Sequence, residues 1–292
     1  MAEQRRSKLI AFLFLLILGV CWFEPIIWLI TNSFRFEREF KVAYTGVSGP
    51  LDYLSRLIPK EWTLTNYTEL FNVGGTLNTD ANLGIMFQNS AIVSVVVTCS
   101  VVFVTSLAAY GYERLNFKGG NKIFWAILYA SMFPNVVAIL PQFRIANALG
   151  WVNNLNALIW PMLAGVFNIF LIRNFMKGIP RELDEAATID GAGSFQVYTH
   201  VVLPSIKPVL MVVALFAFNG AWNDYLWPRI VMTDVNNQTL TAGLRLLMGQ
   251  YEQRWAHMIA SCLVSMVPPF VLYLCAQKYF LQGISVQAGV KG

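Results

Sequence analysis

The sequence has 292 residues, 56% of them hydrophobic and only 13% charged, with a mean hydropathy of +0.53. A soluble globular domain carries about 25% charged residues, so this chain lacks the polar coat of a water-soluble protein and presents its outer surface to lipid. The net charge of +5 does not point to nucleic acid, because Lys and Arg lie scattered beside apolar segments and form no dense block.

A helix that crosses the hydrocarbon needs about 20 apolar residues. Six stretches meet that length: 9–30, 87–110, 123–145, 155–172, 209–230 and 258–280. The first follows a basic start (Arg5, Arg6, Lys8) but is too long for a signal peptide core. It also runs into bulky Trp22, Phe23 and Trp28 where a cleavage site would need small residues. It is therefore an anchor. Prolines interrupt the third stretch (Pro134, Pro141) and the sixth (Pro268, Pro269), breaks that neighbouring helices or a cavity can satisfy. The runs are continuously apolar and show no period-two alternation, which favours helical spans over barrel strands. The fold class expected is all-α: a polytopic membrane protein of six transmembrane helices.

A modest excess of Lys and Arg beside one set of span ends points to the orientation, against Arg35, Arg38, Lys41, Arg56, Lys60, Arg229, Arg245 and Arg254 on the outer side. With the N-terminus inside, cytoplasmic segments hold Arg114, Lys118 and Lys122, then Arg173, Lys177, Arg181 and Lys207, then Lys278 and Lys291. The expected protein is a multi-pass component of the cell (inner) membrane with both termini cytoplasmic. Its expected parts are an N-terminal tail and first span (1–30), an extracytoplasmic loop (31–86) folding as a small cap, a five-span core (87–281) and a C-terminal tail (282–292). The core would carry a cytoplasmic loop at 179–207.

That loop holds the strongest local signals. Pro180 suits a first helical turn, and Glu182, Asp184 and Glu185 put negative charge at the positive end of the helix dipole. Ala186 and Ala187 favour helix, and Gly191 can end it in the left-handed conformation. Ser194 can open a second short helix through His200 to Leu203, with Pro204 marking the turn back to the membrane. The prediction is a helix–turn–helix elbow on the cytoplasmic face. An ordinary amphipathic connector between spans shows the same local features.

The residues Glu185-Ala186-Ala187, three positions, Gly191, nine positions, Val201, one position, then Leu203-Pro204 resemble the EAA motif of ABC importer permeases, with Val201 where the family usually has Ile. Trp62-Thr63-Leu64-Thr65-Asn66-Tyr67, Ala108-Ala109-Tyr110-Gly111, Trp222-Asn223-Asp224-Tyr225-Leu226-Trp227-Pro228 and the tail Gly289-Val290-Lys291-Gly292 extend the likeness to the carbohydrate-uptake, MalG-like branch. The resemblance implies a MetI-like permease fold, in which Glu185, Ala186, Ala187, Gly191, Val201, Leu203 and Pro204 seat a coupling helix in an ATP-hydrolysing partner. Gly289, Val290, Lys291 and Gly292 would reach towards the ATPase dimer. It implies further partners: a second, MalF-like permease, an extracytoplasmic solute-binding protein and a sugar, with most sugar contacts on the partner permease. ATP and Mg²⁺ would be bound by the ATPase subunit, since this chain has no GxxxxGK[ST] phosphate loop and no cofactor of its own is expected.

No catalytic or metal site is indicated. The four cysteines (Cys21, Cys99, Cys262, Cys275) form no CxxC pair, and His200 and His257 stand without a second ligand at metal spacing. The polar residues inside spans are pathway candidates, because charge is costly there. Glu24 and Asp224 each fall roughly 22 Å from the inner boundary at about 1.5 Å per residue. Each could line an outer vestibule or turn to the interface. Asn219 and Asn223 share a helical face and suit a helix–helix contact as well as a pathway. Trp160, Trp222 and Trp227 could stack on sugar rings or serve in interfacial belts and packing. A self-contained secondary transporter or channel would need paired broken helices in repeated halves, and no repeat is seen.

Overall fold

The computed structural model describes residues 2–43, 45–71, 82–115, 117–244, 246 and 254–289. Helix dominates, and among the described residues the β contact is one isolated bridge, Arg35 to Trp62. Five helices are long and apolar enough to cross a membrane, and a sharply bent helix pair, counted as one span, makes six. The chain falls into two compact units, Met1–Gly84 with Gly243–Met266, and Ile85–Ala242 with Val267–Gly292.

The first unit begins with α1 (Ala2–Ser33), whose apolar residues stand outward from Leu9 to Ile30. Three short helices follow, α2 (Glu37–Ala43), α3 (Pro50–Leu57) and α4 (Thr65–Phe71), where the sequence predicted a small cap. Their fastening is polar. Asn66 Nδ2 donates to the Ser33 and Arg35 carbonyls at 2.8 and 2.9 Å, and Tyr67 donates to Ser33 Oγ at 2.7 Å. Glu37 caps the last helix by accepting the Ala256 and Trp255 N–H groups, and Glu69 takes both Arg254 (3.0 Å) and His257 (2.8 Å). His257, solitary in sequence, thus has a carboxylate partner in space.

The second unit holds α5 (Leu83–Arg114), the bent pair α6 (Gly120–Ser131) and α7 (Asn135–Ala148), α8 (Asn156–Ile159) with α9 (Val166–Met176), the elbow helices α10 (Glu182–Ile189), α11 (Ser194–Val197) and α12 (Leu203–Ser205), and α13 (Lys207–Trp222) with α14 (Leu226–Val231). Short α15 (Leu240–Gly243) precedes α16 (Trp255–Gly289), which runs through both units. The core is built where α5, α9, the elbow and α13 meet, on residues such as Val97, Val101, Ile172, Met176, Val202, Ile206 and Val213.

Prolines behave differently from one site to another. The third span breaks at Pro134 with a bend of 97°, while Pro141 stays inside α7. The expected interruption at Pro268 and Pro269 is corrected: α16 is a single helix through both. A proline removes one ladder hydrogen bond and crowds the preceding turn, and a long helix with intact turns on either side can absorb that loss. The fifth span is instead broken at 223–225, between α13 and α14.

Candidate coupling site

The elbow begins with α10, whose first turn carries Glu182, Asp184 and Glu185. It ends in a Schellman arrangement: the Gly191 N–H donates to the Thr188 carbonyl at 3.0 Å, and the Ala192 N–H reaches back to Ala187 at 2.9 Å. This requires a left-handed residue, and Gly191 supplies it with φ +88°. The second arm starts at Ser194, where Gln196 accepts the Gly193 N–H at 2.8 Å. It then widens into a π-turn at Tyr198–Val202. Pro204 explains the widening, since its ring clashes with the carbonyl four residues back and it offers no N–H.

One face of the second arm is buried. Val197, Tyr198, Val202 and Ile206 are all less than 5% exposed. The Tyr198 hydroxyl lies 2.8 Å from Ser106 Oγ, and since Ser106 donates to the Phe103 carbonyl, Tyr198 is the donor between them. Tyr110 packs its ring on Tyr198 at 5.2 Å and donates to the Ser194 carbonyl at 2.8 Å.

Charges clamp the first arm to the end of α5. Arg114 Nε and Asp184 form an ion pair at 3.1 Å with both side chains largely buried. The same guanidinium donates to the Met176 and Ile179 carbonyls at 3.2 and 3.0 Å. Arg173 pairs with Glu113 at 2.9 Å, bonds Asn121 and lies 4.4 Å over the Phe124 ring. Arg181 donates to the Glu113 carbonyl at 2.8 Å. In the sequence Arg173 and Arg181 mark orientation, and Arg114 marks both orientation and the turn after the second span. Their roles as fasteners, and those of Glu113, Tyr110 and Tyr198, arise from pairings between distant segments.

The opposite surface stays open. Glu185, Ala186 and Gly191 are exposed, Ala187, Val201 and Leu203 are half-buried, and Pro204 is exposed. Ile189 and Phe195, which sequence reading did not single out, are 86% and 67% exposed. Ala187, Gly191, Gln196, His200 and Val201 line a shallow hollow of about 340 Å³ between the two arms. The elbow is therefore fastened on its inner face, and its outer one mixes charged side chains with the exposed Ile189 and Phe195. Gly289 closes α16, while Val290, Lys291 and Gly292 lie outside the described residues.

The pathway candidates separate. In the first unit, Glu24 accepts the Tyr53 hydroxyl at 2.6 Å. In the second unit, Asn219, Asn223 and Asp224 line one cavity of about 510 Å³ together with Asn135 and Gln142. Trp222 is 1% exposed, stacked on Phe218 and edge-on to Phe87, so its ring serves packing. Trp227 is buried as well and donates to the Ala157 carbonyl at 2.9 Å, tying α14 to α8. Trp160 is 54% exposed.

Residues 102–286 match the family described as "binding-protein-dependent transport system inner membrane component". The trehalose/maltose transport system permease protein MalG of Thermococcus litoralis is 30% identical over 292 residues, covering 99% of each chain. The arabinooligosaccharides transport system permease protein AraQ of Bacillus subtilis is 30% identical over 96% of this chain and 94% of that protein. The fold is shared with a chain of a bacterial ABC transporter involved in the import of the acidic polysaccharide alginate, with a TM-score of 0.79 at 20% identity and 96% and 98% coverage.

Proposed function

Because the chain belongs to the family of binding-protein-dependent transport system inner membrane components, we propose that it is one permease subunit of an ATP-driven sugar importer, coupled to a separate ATP-hydrolysing subunit through the elbow at 179–207. One arrangement carries the reading. An elbow clamped to the bundle by Arg114–Asp184 and Tyr198–Ser106 leaves Ile189, Phe195 and Glu185 exposed.

A stiff joint transmits displacement, whereas a loose one absorbs it. Closure of an ATPase dimer would push α10, and the buried ion pairs would pass the motion to α5 and α9. The second arm would pass it to α13 through Ile206. The bundle then rocks against a second permease between outward- and inward-facing states. Glu185 would meet a basic side chain of the ATPase, and Ala186, Ala187 and Gly191 would let the two surfaces approach closely. The tail from Gly289 to Gly292 would continue towards the ATPase dimer. ATP and Mg²⁺ belong to that subunit, which makes this chain non-catalytic. In this reading the elbow and both termini face the cytoplasm, and an extracytoplasmic binding protein delivers the sugar. The names of AraQ and MalG support an oligosaccharide as cargo.

The test replaces Glu185 with Lys and Gly191 with Val and follows sugar uptake, co-purification of the ATPase and membrane insertion. Uptake and co-purification should both fall while insertion persists. Unchanged assembly and uptake in both variants would overturn the coupling role.

A further inference from the structure

The cavity lined by Asn219, Asn223 and Asp224 does not end there. It shares Ala138, Gln142 and Pro161 with a neighbouring cavity of about 450 Å³, so the two form one continuous groove along α7. Each part falls within the roughly 300–1,000 Å³ range of small-molecule sites. The groove begins beside the 97° break at Pro134, where a bent span leaves room between its halves and the neighbouring helices.

Its two ends differ in chemistry. At one end Trp160 stacks on Trp151, with centroids 6.2 Å apart and planes at 21°, and remains half-exposed. The other end carries amides and a carboxylate. Asn219 and Asn223 spend their Nδ2 groups on the Leu215 and Asn219 carbonyls, which leaves carbonyl oxygens as acceptors. No hydrogen bond among the described residues engages the side chains of Asn135 or Gln142, whose amides can donate and accept. An apolar aromatic face followed by a row of amides suits a sugar chain. The ring C–H face packs on indole, and the hydroxyls, which both donate and accept, meet the amides.

Charge narrows the class. Asp224 is the ionisable side chain among those lining the groove, and no Lys or Arg lines it. A carboxylated or phosphorylated sugar would there meet a like charge with no Lys or Arg beside it. We propose that this groove is a sugar-binding subsite of the permease, running from Trp160 through Gln142 to Asp224, and that it takes a neutral oligosaccharide. The inference rests on the importer reading. It departs from the expectation that sugar contacts lie mainly on the partner permease.

The experiment uses the assembled complex with its binding protein in proteoliposomes. A plant-polysaccharide hydrolysate is split by anion exchange into neutral and acidic oligosaccharide pools, and ATP-dependent depletion of each is measured. Depletion of the neutral pool alone is expected, and depletion of the acidic pool, or of neither, overturns the proposal. Trp160→Ala and Gln142→Ala should each lower neutral uptake about five- to ten-fold, with Trp160→Phe restoring most of it. Wild-type uptake in both alanine variants overturns the assignment to this groove and leaves it a packing surface for another helix. Co-purification of the ATPase is followed in every sample. A complex that assembles and hydrolyses ATP but fails these tests sinks only the groove, whereas failure to assemble in the wild type sinks the importer reading.

Discussion

Arg114, the last residue of α5, and Asp184, in the first turn of α10, form an ion pair at 3.1 Å with side chains 5% and 17% exposed. The pair joins the end of a membrane span to the elbow that follows α9. Removing one partner of a buried pair leaves the other charge uncompensated, at a cost of about 3–5 kcal/mol. Arg114→Ala should therefore loosen the elbow more than it harms the bundle. We expect faster limited proteolysis at 179–193 and loss of uptake, while ATP hydrolysis by the partner continues without transport. Arg114→Lys should recover little, because one ammonium cannot serve Asp184 and two carbonyls in fork geometry.

Gly191 tests the joint between the two arms. Its φ of +88° is strained for any side chain, although a methyl there would meet open space. Gly191→Ala should cost about 1–2 kcal/mol from backbone alone. Gly191→Asn should cost less, since Asn tolerates the left-handed region. Thermal unfolding of the purified complex would rank the variants wild type, Asn, Ala and then Val. The same order without the ATPase would show that the effect is conformational, separate from docking.

Ile189 separates folding from docking. At 86% exposure it contributes little to the permease's own packing. Ile189→Asp should leave thermal stability within about 0.5 kcal/mol, as surface changes usually do. If the side chain is covered by the partner, it forfeits about 1.5–3 kcal/mol of burial there, a drop of one to two orders of magnitude in affinity. Titration of the ATPase against the solubilised permease measures this. Equal affinities would remove Ile189 from the interface.

The second arm has its own fastener. Tyr198→Phe deletes a hydroxyl that donates to Ser106 Oγ at 2.8 Å in a buried setting. The loss should be about 1 kcal/mol, the usual net worth of one internal hydrogen bond, because Ser106 keeps its bond to the Phe103 carbonyl. Tyr198→Ala should cost several times more, since Tyr110 also loses its ring partner. Chemical denaturation of the two variants would resolve the difference.

Much of this protein is written locally. Continuous apolar runs identify the spans, because nothing else covers a helix's backbone and side chains in hydrocarbon. Acidic residues before Ala186, and Gly191 after Ile189, define α10 from both ends, because caps and dihedral preferences act within one turn. Pro134 marks the bend in the third span for the same reason. The rest needed the helices to meet. Arg114 and Arg173 read as scattered positive charge until α5, α6, α9 and α10 bring Asp184, Glu113 and Asn121 to them. Pro268 and Pro269 carry the same local signal as Pro134, yet α16 stays whole. Trp160, Trp222 and Trp227 are alike in sequence, and only packing buries two and leaves the third open beside a groove. Burial, ion pairing and exposure are properties of neighbours, and the chain acquires those neighbours only when distant segments pack.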